Sequence, residues 1–456
     1  MNKIVILKSI WEKVKIYLQN DRYGNFVFFF CRLNKNNKGL DFLVNDFSRV
    51  KDEDVEISSD YFTQINLNAL LEVVNRANKE GMALVEAHNH PFSEDHVSFS
   101  YADLEGFSEF VPYILDSLKK PYGATVWSKK SFDGRVWKKS YSNDEIIHEI
   151  RIIGKNITKY AAASIKLPKK KPKLTDRDNR QILALGKSGQ VQISDTSVAI
   201  IGLGGIGSHV TQQLAYLGVR DFVLVDYDCM QIENLNRIVG AFPSDIGKPK
   251  VEIAAKIIKS IAGHEKVRIV HLQKELRRED VLDHIKSCDV IFGCIDNDGA
   301  RLILNELAIS YMIPYIDSAF GIHAEKCVIR EAGGRVVLVI PDGPCLLCCK
   351  DIDISEASYF LSPREEQIFN EKRGYVSGVN IPSPSIISLD GIVASIAVTE
   401  FISLITGIRE AIQYSSYDFL TQKLNRRIIK KNKKCVQCDL SGLGDDSEIM
   451  RYAIKN

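Results

Sequence analysis

The chain has 456 residues, of which 45% are hydrophobic and 26% charged. At roughly 150 residues per domain it has room for two or three domains with cores of their own, and it is too apolar to be intrinsically disordered. Lys and Arg number 60 against 58 Asp and Glu, a net charge of +2. That balance excludes a dedicated nucleic-acid binder or a protein held to anionic membranes by charge.

The first residues, MNKIVIL, give too short an apolar run before Lys8 for a signal peptide, which predicts a cytoplasmic protein. An amphipathic helix is expected from Lys8 to Leu18, followed by the strand FVFFFCRL, the helix LNALLEVVNRANKEG, the strand MALVEAHNH and a helix after Ser100. Together these predict a mixed α/β domain over residues 1–155. His88 and His90 alternate at the end of their strand, so both rings face one side. Asp103, three residues after the expected cap residue Ser100, starts a helix and can turn back as a third ligand. Two histidines, one aspartate and one open position are the ligand set of a catalytic zinc.

From about 156 to 174 the chain turns lysine-rich, with Pro168 and Pro172, which predicts a solvated basic linker. The domain after it, 175–456, opens with the strand, glycine turn and helix of TSVAIIGLGGIGSHV and continues through the strands DFVLVDYD, VIFGCIDND and VVLVI. Gly202, Gly204, Gly205 and Gly207 can present backbone N–H groups and a helix N-terminus to phosphate, and Asp226 ends the next strand where an acid can bind ribose. That pair of features fits a nicotinamide-dependent dehydrogenase equally well. Asp228, Asn234, Arg237, Lys250, Asp296 and Asn297 shift the balance, because hydride transfer needs no such set. Attack of a carboxylate on the α-phosphorus of ATP does need it, to neutralise developing charge and to hold magnesium.

VAIIGLGGIGSHV, VDYDCMQIENLNR, GKPK and CIDND resemble the ThiF/MoeB family, the superfamily of the ubiquitin-activating enzymes, over roughly residues 175–440. The resemblance implies a Rossmann-like adenylating domain in which Gly202, Gly204 and Gly207 cradle phosphate and Asp226 binds ribose. Asn234, Arg237 and Lys250 would bind phosphates and Asp296 magnesium, while Arg180 would reach ATP across a homodimer. Two C-x-x-C pairs, Cys345 with Cys348 and Cys435 with Cys438, predict a closed structural zinc site, which members of this family commonly carry. Members that form a thioester have a cysteine shortly before the helix matching DGIVASIAVTEFI; the corresponding place here is near Asn380, where there is none. Cys349 is the alternative thiol, with a structural role as the other reading. The stretch from 391 to 408, apolar but interrupted by Glu400, reads as a buried helix, so no membrane span is expected.

The His-x-His-Pro and Ser-x-x-Asp pattern of the first domain resembles the JAB/JAMM (MPN) metallopeptidases, which cleave at the C-terminus of ubiquitin and its relatives; the RadC family shares the HNHP stretch. The JAMM family takes a glutamate from an earlier strand as general base, and NDRYGNFVFFF has none. Glu86 is the nearest substitute, either as the base or as a partner that orients a histidine. The sequence therefore predicts an α/β protein that adenylates the C-terminus of a ubiquitin-like protein and also processes or removes that protein, with ATP, magnesium and two zinc ions. A conjugating enzyme or sulfur carrier is a further expected partner, and such fusions resemble bacterial ubiquitin-like systems, some tied to antiphage defence. The alternative is a scaffold that binds a ubiquitin-like partner without chemistry.

Overall fold

The computed structural model describes residues 1–19, 25–58, 63–91, 96–165, 176–363 and 384–454. They form two compact units, one of residues 1–171 with 441–447 and the other of residues 172–440 with 448–456.

The first unit runs β1 (Asn2–Leu7), α1 (Lys8–Leu18), β2 (Phe26–Asn36), β3 (Gly39–Arg49), β4 (Val55–Ser58), β5 (Thr63–Ile65), α2 (Leu67–Glu80) and β6 (Ala83–Asn89). It continues with α3 (Tyr101–Leu118), β7 (Tyr122–Trp127), β8 (Phe132–Trp137), β9 (Asp144–Ile153) and β10 (Ile157–Ala161). Its main sheet has the order β1-β3-β2-β6-β7-β8-β9-β10, and β1 also pairs with β9, so the sheet closes on itself with β10 outside the ring. The run FVFFF is apolar throughout because both faces of β2 are covered. Val27 and Phe29 pack in one core with Trp11 and Val14 of α1, whereas Phe28 and Phe30 pack in another with Val74 of α2 and Val111 of α3. In β6, likewise, Val85 and Ala87 join the α1 side and Leu84 the other, which places Glu86 and His88 on the face covered by α2 and α3.

Two helix boundaries here follow from local chemistry. Asn66 caps α2 by accepting from the Ala69 N–H, and Gly81 ends it in the left-handed conformation at φ 62°. Ser100 and Asp103 form a reciprocal capping box at the start of α3.

Two boundaries differ from expectation. Residues 157–161, assigned to the linker, are the strand β10, which pairs antiparallel with β9 from Ile157 against Ile153; residues 166–174 of the expected linker lie outside the described residues. Ser441–Ser447, expected within the second domain, belong to the first unit: Asp446 pairs with Arg32 at 2.5 Å, and Asp445 accepts from the Lys35 N–H at 2.7 Å.

The second unit runs α4 (Asn179–Ser194), β11 (Ser197–Ile201), α5 (Gly205–Tyr216), β12 (Asp221–Val225), α6 (Lys250–Ala262), β13 (Arg268–Leu272), α7 (Glu279–Ile285), β14 (Val290–Gly293) and α8 (Asp298–Ser310). Then come β15 (Tyr315–Glu325), β16 (Val328–Val339), α9 (Leu346–Cys349), α10 (Ile354–Leu361), α11 (Ile387–Thr406), β17 (Tyr414–Asp418) and β18 (Lys423–Arg426). The sheet order is β13-β12-β11-β14-β15-β16-β17-β18, parallel from β13 to β15 and antiparallel beyond. The order in which successive strands are added across the sheet reverses between the parallel neighbours β11 and β14, the switch point at which doubly wound sheets open a crevice for ligand. Ile201 lies level with Val225 and with Gly293, so the turns after β11, β12 and β14 leave from the same edge.

The expected buried helix is α11, which packs on α5 and on β15 and β16. It is long and apolar enough to cross a membrane, and 61% of its apolar window is buried inside the unit. Its charge at Glu400 is compensated, since Arg409 binds both carboxylate oxygens at 2.7 and 2.9 Å and the Ile412 N–H donates at 2.7 Å.

Candidate functional site

At the switch point each glycine has a different physical reason. Gly202 sits at φ +85°, and a Cβ there would lie 2.5 Å from the Cys294 carbonyl oxygen. A Cβ on Gly207 would lie 2.0 Å from the Gly202 carbonyl oxygen, and one on Gly205 would lie 2.0 Å from Asp390 Oδ2. Gly204 alone of the four meets nothing within 4 Å. Turn geometry and close packing thus demand Gly202, Gly205 and Gly207, and Gly204 opens the backbone toward space a phosphate can enter.

Asp226 is buried at the end of β12 and accepts from the Leu203 N–H at 2.7 Å and the Asp228 N–H at 2.9 Å, which ties it to the glycine turn. Burial raises its pKa above the usual carboxylate range, against the pull of Lys250. Lys250, at the start of α6, donates to Asp228 at 2.7 Å. Asp226 and Asp228 follow β12 and Asp296 follows β14, and both strands end level with β11. The expected acids and Lys250 therefore converge on one edge. Asp296 is exposed on the turn after β14, and Arg301 braces that turn by donating to the Ile295 carbonyl at 2.8 Å and to Asp298 at 2.7 Å.

Two expected ligand residues are anchored locally through their side-chain oxygens. Asn297 caps α8 with its side-chain oxygen on the Ala300 N–H at 2.9 Å, and Asn234 places its own on the Gln231 N–H at 3.0 Å. Both carbonyl oxygens are thus occupied by backbone, as is usual for asparagine at helix starts. Arg237 donates to the Glu233 carbonyl at 2.7 Å and also acts on Asp390. Arg180 is exposed on the first turn of α4 and makes no hydrogen bond or ion pair with the described residues.

Asp390 was not anticipated from sequence. It is buried on the first turn of α11, accepts from the Ser385 hydroxyl at 2.7 Å and abuts Gly205. The available signal was a carboxylate at the head of a strongly apolar run, which is costly unless something compensates it.

The four expected thiols meet. Cys345 Sγ lies 3.8 Å from Cys348 and 3.5 Å from Cys435, and Cys348 lies 3.6 Å from Cys438. Sulfurs at about 2.3 Å from a tetrahedral zinc stand about 3.8 Å apart, so the donor set fits that ion. Asn305 of α8 serves both turns, accepting from the Leu346 N–H at 3.0 Å and donating to Gln437. Cys349 is buried in the core, and burial together with Asp351 pushes its thiol up to about 12, a poor setting for a nucleophile. Asn380, where a thioester cysteine was looked for, lies outside the described residues.

Residues 178–440 match the ThiF family. The chain belongs to that family. The chain is 27% identical over 267 residues to the adenylyltransferase and sulfurtransferase MOCS3 of Danio rerio, covering 58% of this chain and 52% of that protein. It is 30% identical over 175 residues to the SAMP-activating enzyme E1 of Haloferax volcanii, covering 38% of this chain and 61% of that one. The molybdopterin-synthase adenylyltransferase of Escherichia coli K12 is 27% identical over 267 residues, 58% of this chain and 95% of that protein. The chain thus spans between half and two thirds of the first two relatives. ThiF membership replaces the dehydrogenase alternative.

Outside the ThiF region, the first unit holds the second metal-type cluster. His88, His90 and Asp103 each offer a ligand atom, all within 4.8 Å of one another. Asp103 reaches His88 Nε2 at 3.4 Å and His90 Nε2 at 3.5 Å, and the His90 N–H is anchored on the Trp127 carbonyl at 2.7 Å. Both ring nitrogens of His88 are buried without a hydrogen-bond partner, a state that a bound cation relieves. Burial opposes a charged His88 more than any other single influence, yet Asp103 and Glu86 together outweigh it and raise its pKa to about 9. His90 is lowered to about 4 by burial and then by the charge on His88.

Opposite His88 on β2 stands Phe26, whose ring stacks on the imidazole at 5.3 Å. No carboxylate of β2 occupies that place. Glu86 is buried with Oε1 3.5 Å from His88 Nδ1, the nitrogen away from Asp103.

Proposed function

We propose that the second unit adenylates the C-terminal carboxylate of a ubiquitin-like or sulfur-carrier protein. The observation that carries this is the convergence of the Gly204 opening, Asp226, the Lys250–Asp228 pair and Asp296 on one edge of a ThiF-family sheet. Its relatives support the substrate class: one is named as activating SAMP and another as acting on molybdopterin synthase.

In this proposal the Gly204 turn receives phosphate, and Asp226, already fixed by two backbone N–H groups, turns toward ribose. Lys250 exchanges Asp228 for phosphate oxygens when ATP binds, so its charge is held ready rather than left free. The attacking carboxylate oxygen bonds to the α-phosphorus, the bond from that phosphorus to the bridging oxygen of the β-phosphate breaks, and pyrophosphate leaves with the electron pair. Asp296 would hold magnesium, which would supply charge neutralisation for the leaving pyrophosphate. Arg180, exposed and without a partner among the described residues, acts on the ATP of a second copy of the chain. The test is exchange of labelled pyrophosphate into ATP with candidate ubiquitin-like and sulfur-carrier proteins; exchange that none of them stimulates overturns the substrate class.

The first unit we read as a zinc hydrolase of JAMM type that acts on the same partner's C-terminus. His88, His90 and Asp103 would hold the ion, which supplies Lewis-acid chemistry at that place. Phe26 and Phe99 wall His88 and restrict water around it. Among the described residues no carboxylate of β2 stands opposite His88, where Phe26 lies, and hydrolysis is expected to be slow. Release of a C-terminal extension from a ubiquitin-like partner, lost in His88→Ala, tests this reading.

A further inference from the structure

The face of β6 and β7 beneath the histidine cluster carries a buried polar chain that no hydrophobic core requires. Tyr122 of β7 is fully buried, and its hydroxyl donates to Glu86 Oε2 at 2.6 Å. The other oxygen of Glu86 stands 3.5 Å from His88 Nδ1. His88 Nε2 points the opposite way, to Asp103. The register explains the alignment: Tyr122 pairs with Leu84 and Ala124 with Glu86, so Tyr122, Glu86 and His88 succeed one another along one face. The strand neighbourhood is held as well, because Thr125 donates to the Glu86 carbonyl at 3.1 Å and Trp127 donates to Thr125 at 3.1 Å.

A carboxylate and a phenol buried in an apolar core are costly unless each satisfies the other and a further group. Phe30, Leu84, Phe107 and Trp137 surround this face, and apolar residues in place of Tyr122 and Glu86 would pack there without a desolvation cost. The pair is therefore poorly explained by stability. It is well explained by what a metal-bound histidine needs, a fixed acceptor on its distal nitrogen that sets the tautomer and the ring angle.

We propose that Tyr122 and Glu86 are positioning residues, a hydrogen-bonded relay that holds His88 with its proton on Nδ1 and its Nε2 lone pair toward Asp103 and His90. The proposal rests on reading His88, His90 and Asp103 as metal ligands. The 3.5 Å gap to Nδ1 is long for a hydrogen bond; it closes when a cation fixes Nε2. Glu86 then accepts from His88, Tyr122 donates to Glu86, and neither touches metal or substrate.

The test uses the full chain stripped of metal and titrated with Co²⁺. Visible d–d absorption without a thiolate charge-transfer band reports the histidine site, and the charge-transfer band reports the four-cysteine site as an internal control. Tyr122→Phe, which keeps the ring, is expected to weaken cobalt binding at the histidine site about tenfold or more and to alter its d–d band, with the thiolate band titrating as in the parent. Glu86→Gln is expected to do the same, and the double variant to bind no more weakly than Glu86→Gln alone, since the two residues act in series. Unfolding of the metal-free protein shows whether each variant is folded, and Glu86→Gln decides if Tyr122→Phe is not. If the parent shows no cobalt signal beyond that of His88→Ala, the ligand reading fails and the relay with it. If the parent binds and Tyr122→Phe or Glu86→Gln binds within twofold of it, or if their losses simply add, the relay alone is overturned.

Discussion

Gly207 faces the carbonyl oxygen of Gly202 so closely that a methyl group on it would lie 2.0 Å away. Gly204, two residues on from Gly202, faces open space. The contrast separates folding from ligand binding within one motif. Gly207→Ala forces backbone against backbone, and a loss of about 3 kcal/mol or more is expected, since the obstructing atom cannot rotate away. Gly204→Ala is expected to leave the unfolding midpoint unchanged and to weaken ATP binding, because its methyl would occupy the space assigned to phosphate. Chemical unfolding and equilibrium ATP binding on both variants check this; equal unfolding losses would remove the distinction.

The acids and the lysine carry the next prediction. Asp296→Ala is expected to abolish pyrophosphate exchange, and Lys250→Ala to lower its rate by roughly a hundredfold, the scale of one lost charge-stabilising donor. Lys250→Ala also leaves Asp228 without its 2.7 Å partner. Asp228→Asn, which removes that charge, should therefore recover little of the loss if Lys250 acts on phosphate, and most of it if Lys250 serves only to neutralise Asp228. Exchange assays on the two single variants and the double variant decide between them.

Much of this site was legible because its spacing reports backbone demands that few residue types meet. Gly202 needs a positive φ, Gly207 needs the absence of a side chain, and each leaves its mark wherever the strand, turn and helix are built this way. The paired cysteines and the two alternating histidines were legible for the same reason, since their geometry is local. What escaped depended on distant parts of the chain. Asp390 lies far from Gly205 in sequence, and Asn305 is joined to both cysteine turns only by the fold. Asn234 and Asn297 show a local anchor that spacing alone does not reveal, since each side-chain oxygen accepts from a nearby backbone N–H. The strand β10 was missed because ITKYA is only five residues long, lies at the outer edge of its sheet and leads into the lysine-rich stretch whose composition dominates the reading.

The four-cysteine cluster predicts a metal-dependent fold in the second unit. Cys345→Ala and Cys438→Ala are each expected to lose one zinc per chain and to lower the unfolding midpoint of that unit by roughly 10 °C, several kcal/mol for a unit of this size. His88→Ala should lose the other zinc and leave that midpoint in place. Metal analysis and calorimetry on the three variants check both halves; a Cys345→Ala protein with its full zinc content would reject the cluster as a zinc site.

Arg180 gives the last prediction, and the decisive form is mixing rather than deletion. The residue is exposed at the start of α4, three positions before the exposed Leu183, and engages nothing among the described residues of its own chain. If it completes the ATP site of a second copy, Arg180→Ala and Asp296→Ala should each be inactive alone. Mixed and allowed to exchange subunits, they should regain activity, because in a mixed dimer the chain with intact Asp296 receives Arg180 from its Asp296→Ala partner. About a quarter of the parent rate is expected from an equal mixture, since half the dimers are mixed and each has one complete site. Sedimentation should show a dimer in the parent and in both variants. If Arg180 acted within its own chain, the mixture would stay inactive however long the subunits exchanged, and pyrophosphate exchange after mixing reads that outcome directly.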